Sequence, residues 1–289
     1  MHFCVLLWGF SAIMGKLILL DEISLVWYRM LFAGLFFGII LLFQKKSFFI
    51  SYNVLKLVLF NGMLLALHWV CFYGSVKKAN ASIAVICIPI TSLIVAFIDP
   101  IINKTSFKKS NLLLSILMLI GMIIIFYTSP IGYRLGLFLG ILASFFVAIF
   151  SCINKNLIGK IDTFELAFYE MLGGFFLLSI ILLVFYFFGF KFSLHFKGND
   201  YPFMFIYLVF CTFIPFVISL KALKHLSTFI SVFLVNLEPI YGMILAAFIF
   251  KENKMLGANF YLGAAIIFLG IVIQLYLDRN NRKSTNLVS

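Results

Sequence analysis

The chain is 289 residues long, 64% hydrophobic and only 11% charged, with a mean hydropathy of +1.16. Soluble domains carry about 25% charge and an apolar share nearer half, so a water-soluble packing is excluded and the solvent is lipid. The net charge of +12 sits between apolar runs, where it orients a polytopic protein; no basic stripe with interleaved exposed aromatics argues for nucleic acid.

Cutting at polar clusters and Gly/Pro punctuation predicts ten membrane helices: Phe3–Leu20, Ile23–Phe43, Val54–Gly74, Ala81–Ile102, Asn111–Thr128, Tyr133–Lys155, Phe164–Phe188, Tyr201–Leu223, Thr228–Phe250 and Gly257–Leu277. Each is near the roughly 20 residues a spanning helix needs. The first lacks a basic n-region and a small-x-small cleavage site before Asp21, so it reads as a retained helix, not a signal peptide. Its Trp8 and Ser11 lie one turn apart, on a face that either lines a cavity or packs. Lys16, near Asp21, and Lys155, at the other surface, are placed to snorkel.

Arg29 in the second helix lies roughly 10 Å deep at 1.5 Å per residue, too deep for easy snorkelling. Intramembrane charges face the bundle interior or a wet cavity. Two readings stand open: a bidentate grip on a substrate carboxylate or gate, or a structural bond to Glu170 or to a carbonyl. In the third helix His68 is expected to line a cavity. Trp69 either joins it or belongs to an interfacial belt, with Tyr73 one turn on. In the ninth, Glu238 precedes Pro239 near mid-helix. The carboxylate either exchanges a proton or satisfies backbone groups that the proline frees. Asn61, Asn154 and Asn236 are expected to bond between helices, and the spacings Gly34–Gly38 and Gly136–Gly140 to mark close packing. The five cysteines lie in apolar runs with no CxxC, which excludes a disulfide framework or metal site. No cofactor motif, catalytic cluster, Walker A, HExxH or GxSxG occurs.

The chain repeats itself. Phe10-Ser11-x-Ile13 recurs as Phe150-Ser151-x-Ile153, and Leu25-x-x-Tyr28-Arg29-Met30-Leu31 as Leu166-x-x-Tyr169-Glu170-Met171-Leu172. Pro89-Ile90 matches Pro239-Ile240, and Gly121 matches Gly270. Five helices is an odd number, so the second copy enters the membrane from the other side, the architecture of secondary transporters. With the N-terminus inside, inner loops carry 13 Lys and Arg (Lys45, Lys46 and Lys108 among them) against 7 outside (Lys77 and Lys191 among them). That bias favours both termini in the cytoplasm.

Ala222-Leu223-Lys224, Glu238-Pro239 and Glu252, with Leu262-Gly263, resemble the second repeat of the EamA-type exporters, within the drug/metabolite transporter superfamily. Trp8-Gly9 and Arg29 resemble the first repeat, and Lys251-Glu252 stands where the family usually has Gly-Glu. The resemblance implies an all-α polytopic protein of two inverted five-helix repeats (1–128 and 133–277) and a cytoplasmic tail (278–289). It also implies a central cavity, alternating access and export of amino acids or related metabolites across a bacterial inner membrane. The partners expected are a small-molecule substrate and the bilayer; no oligomer is required. Arg29, Glu170, His68, Trp69, Trp8 and Ser11 are the candidate cavity residues, and Glu238, Pro239 and Pro89 the candidate coupling or gate residues. A non-transporting membrane scaffold or, less favoured, an intramembrane lipid-modifying enzyme stands as the alternative.

Overall fold

The computed structural model describes residues 1–46, 50–107, 109–128, 131–190, 192–254 and 256–286. Lys108, Lys191 and the end of the expected tail (287–289) lie outside the described residues. Among the described residues the fold is helical: α1 (His2–Gly9), α2 (Ser11–Leu17), α3 (Glu22–Phe43), α4 (Tyr52–Lys78), α5 (Ala81–Ile86), α6 (Ile90–Asn103), α7 (Lys109–Thr128), α8 (Arg134–Leu157), α9 (Thr163–Phe187), α10 (Asp200–Leu208), α11 (Ile214–His225), α12 (Thr228–Val235), α13 (Glu238–Phe250) and α14 (Ala258–Asn286). Seven stretches of the described residues are long and apolar enough to cross a membrane, and three shorter apolar helices cover His2–Leu17, Leu112–Tyr127 and Ala258–Ile273. The chain is an integral, multi-pass membrane protein. α14 continues to Asn286, through most of the stretch expected as the tail.

Local chemistry sets the ends. Asp21 caps α3 by accepting from Ile23 N and Ser24 N, and Asp162 caps α9 with Glu165 closing a capping box. Both caps sit at the same place in the two sequence copies, satisfying helix N–H groups that water would otherwise serve. The breaks are as telling. The first predicted helix divides at Phe10, the fourth at 87–89 and the ninth at 236–237. Pro89 becomes the N-cap of α6 and Pro239 falls in the first turn of α13, where a missing N–H costs nothing. Glu238 is therefore not mid-helix: it opens α13. Between α10 and α11 the chain makes a π turn, Val209–Phe213.

Close packing runs through glycine. A Cβ added at Gly62 would lie 2.0 Å from the Glu170 carbonyl oxygen, and one at Gly173 2.1 Å from that of Leu59, so α4 and α9 touch backbone to backbone. Gly121 and Gly263 do the same for α7 and α14, with added-Cβ distances of 2.6 and 2.5 Å; the sequence pairing of Gly121 with Gly270 marks equivalence, not contact. Gly136 and Gly140 sit against Ala79 and Cys87, while Gly34 and Gly38 meet α9 more loosely. Such small-residue seams replace the hydrophobic drive that lipid cannot supply. The two halves do not pack symmetrically: α4 lies tightly along α8 and α9, whereas its counterpart, α10–α11, touches α1–α3 far less.

Candidate functional site

That looser side holds a cavity. Its lining runs from Arg29, Trp69 and Tyr73 through Trp8, Ser11, His68 and Glu238 to Met1, Leu223 and Ser231. The mouth thus lies at the end of the bundle that carries the N-terminus. The broken helices supply much of the wall: Trp8 and Ser11 flank the break in the first, Ile88 and Thr91 that in the fourth, Val235 and Glu238 that in the ninth. The fourth and ninth helices are tied at their breaks by Asn236 Nδ2 donating to Ser92 Oγ at 2.7 Å. Leu65, Phe72, Val147, Phe150, Phe216 and Val232 make the remaining wall largely apolar.

Arg29 closes the deep end and is 2% exposed. Its Nε donates to Thr212 Oγ1 at 2.9 Å, Nη1 to the Tyr73 hydroxyl at 3.2 Å and Nη2 to the Cys211 carbonyl at 2.9 Å. The last bond has a readable origin. In an α-helix the Cys211 carbonyl would bond to the N–H of residue 215, and that residue is proline. The guanidinium takes the vacated acceptor. Its face lies 3.4 Å from the Trp69 ring centroid, with Tyr207 at 4.6 Å. Five guanidinium protons against three bonds among the described residues leave one further N–H on each terminal nitrogen. Among the described residues no carboxylate pairs with Arg29; the salt bridges found are Lys16–Glu252 and Lys46–Asp162.

His68 Nδ1 is 2.9 Å from the Ala143 carbonyl. A carbonyl only accepts, so Nδ1 carries the proton and a neutral ring presents Nε2 as an acceptor. Glu238 is 5% exposed and its side chain accepts no hydrogen bond from the described residues. It does not satisfy backbone freed by Pro239, since the helix break has already removed that need.

Glu170 is a correction. It does not line the cavity and does not meet Arg29. Asn61 Nδ2 donates to its Oε1 at 2.8 Å and to Asn154 Oδ1 at 3.1 Å, and only Asn154 of the three reaches the cavity wall. The reason is the Gly62 seam, which draws the Glu170 backbone against α4 and turns its side chain to Asn61. Pro89 and Pro239 likewise shape the breaks without entering the wall. Lys155 donates to the carbonyls of Leu223 and Leu226 at the end of α11, at 2.8 and 2.7 Å.

The far end, opposite the mouth, is sealed by groups that sequence reading missed. Lys16 reaches Glu252 at 2.7 Å, and Glu252 is fully buried. Lys77 donates to the carbonyls of Ile18 and Leu20, while Asp200 accepts from Leu19 N at 2.7 Å. A signal existed for one of them: Glu252 follows a long apolar run directly, with no loop to carry it into water.

No curated protein sequence matches the chain. A solved crystal structure at 13% identity aligns over 96% of each chain with a TM-score of 0.70, a likeness of fold alone. The sequence pattern of the EamA-like transporter family matches twice, over residues 1–127 and 134–276. The twofold match agrees with the repeated Asp21 and Asp162 caps and the paired prolines, and the chain belongs to the EamA-like transporter family, membrane transporters of the drug/metabolite superfamily.

Proposed function

We propose that the protein is a secondary transporter of zwitterionic, amino-acid-like metabolites, working by alternating access. Its domains would be two inverted five-helix halves, 1–128 and 133–277, giving ten spans. A short tail would follow them. The Lys/Arg bias supports both termini in the cytoplasm, which makes the mouth a cytoplasmic one; the resemblance to the EamA-type exporters is what supports export across a bacterial inner membrane. The observation that carries the reading is Arg29: a buried guanidinium at the closed end of a cavity, with no carboxylate of the described residues in salt-bridge contact. Arg29 receives the substrate carboxylate through its two remaining N–H donors. Glu238 and His68 Nε2 supply acceptors for an ammonium, and the apolar wall takes the side chain. Glu238, open to the same cavity, is the group that exchanges a proton for substrate.

The test uses proteoliposomes and L-leucine as probe. Efflux should be inhibited by leucine analogues that keep both charged groups. Isocaproate and isoamylamine, each lacking one group, should inhibit far less. Equal inhibition by all three removes the zwitterion reading, and flux indifferent to an imposed pH gradient removes proton exchange.

A further inference from the structure

Glu252 makes an unusual set of bonds for a residue in a connecting segment. Its Oε1 accepts from Lys16 Nζ at 2.7 Å and from Ala81 N at 3.2 Å, and its Oε2 accepts from Ser82 N at 2.9 Å and Ser82 Oγ at 2.7 Å. One carboxylate from the second half thereby clamps two elements of the first: the end of α2 and the start of α5. Lys16 is further held over the Phe250 ring, 4.3 Å from its centroid. These contacts lie at the end of the bundle away from the cavity mouth, beside the Lys77 and Asp200 bonds that hold residues 18–20.

The opposite end is held differently: its ion pair between the halves, Lys46–Asp162, is about a third exposed on both sides. Lys251 ends α13 in the left-handed conformation at φ 57°, and Lys104 ends α6 in the same way at φ 52°. The residue after the first cap is Glu252; the residue after the second is Thr105, which bonds to Asp99 on its own helix. Among the described residues the clamp on the buried Glu252 carboxylate lies at the far end, whereas the ion pair at the open end, Lys46–Asp162, is about a third exposed.

We infer that Glu252 is the latch of the far mouth. Releasing its carboxylate from Lys16, Ala81 and Ser82 is the step that opens the cavity to the face opposite the N-terminus. The inference rests on the transporter reading above. It makes Glu252 a positioning residue, since it touches no substrate. Buried ion pairs that lose one partner leave an uncompensated charge, so the two sides of the latch part together with water entry or not at all.

The experiment joins the two sides reversibly. In a Lys16→Cys/Glu252→Cys variant in proteoliposomes, a short bifunctional methanethiosulfonate bridges the thiols, and reductant releases them. Bridging should abolish L-leucine flux, leave L-leucine binding (read as a thermal shift on the same sample) unchanged, and be reversed by reductant. Either single substitution, Lys16→Cys or Glu252→Cys, treated identically should keep the flux it had before treatment. Flux that continues through the bridged protein overturns the latch. Should the unbridged pair be inactive, the charge swap Lys16→Glu/Glu252→Lys decides: flux above both single substitutions supports the latch, and no recovery overturns it. The parent chain carrying no flux at all sinks the transporter reading instead, which keeps the two failures apart.

Discussion

Gly62 offers the sharpest test of how the bundle is held. In Gly62→Ala the new Cβ would start 2.0 Å from the Glu170 carbonyl oxygen, and the obstructing atoms are backbone, so no rotamer change relieves it. Ordinary contact begins at 3.4 Å, so α4 and α9 must separate by about 1.4 Å at this point. That displacement would stretch the 2.8 Å bond from Asn61 to Glu170 past hydrogen-bonding range. Overpacking costs about 1–3 kcal/mol and stranding a buried polar pair about 1–3 more, giving roughly 2–6 kcal/mol together. At about 2–4 °C per kcal/mol, the slope of large single domains, the unfolding temperature in detergent should fall by about 4–24 °C. Gly257→Ala is the control, because nothing lies within 4 Å of a Cβ there. A Gly62→Ala protein that melts with the Gly257→Ala control would refute the backbone seam and the account of why Glu170 faces Asn61.

Other outcomes follow from the same geometry. Arg29→Lys keeps the charge but loses the fork and the stacked face on Trp69, so L-leucine binding should weaken by about tenfold or more while the amount of protein in the membrane holds; unchanged affinity would remove Arg29 from recognition. Lys46→Ala breaks the bridge to Asp162, but both side chains are about a third exposed, so screening leaves a stability loss below about 1 kcal/mol in a melting experiment. At Glu252 burial works to raise the carboxyl pKa, but the hydrogen bonds from Lys16 and Ser82 outweigh it and hold the pKa below the ordinary 4.5. A depressed folded-state pKa stabilises above the unfolded value and loses that stabilisation as pH falls through the folded one. The melting difference between parent and Glu252→Gln should therefore be flat from about pH 5 to 8 and shrink only in stronger acid. A difference that shrinks near neutrality would contradict the bonding seen.

The sequence by itself determined the solvent, the helical class and the repetition. Apolar runs of spanning length leave no other class, and ordered matches such as Arg29 with Glu170 and Pro89 with Pro239 show in the letters alone. It also singled out Arg29, His68 and Glu238, which line the cavity, because a charge or imidazole in hydrocarbon must face something polar, although the same argument misplaced Glu170 there. What it could not decide was which polar group meets which. Arg29 and Glu170 match in the repeat but never touch, because Pro215 frees a carbonyl for one and Gly62 draws the other against Asn61. The prolines read as kinks in continuous helices, yet they sit where two separate helices begin, a distinction set by the packing of the fourth helix against the ninth through Asn236 and Ser92. Lys16 and Glu252 stand 236 positions apart. Periodicity and composition act within a few turns of helix, whereas a contact across that separation exists only once both halves have folded against each other, and there the tertiary structure alone decided.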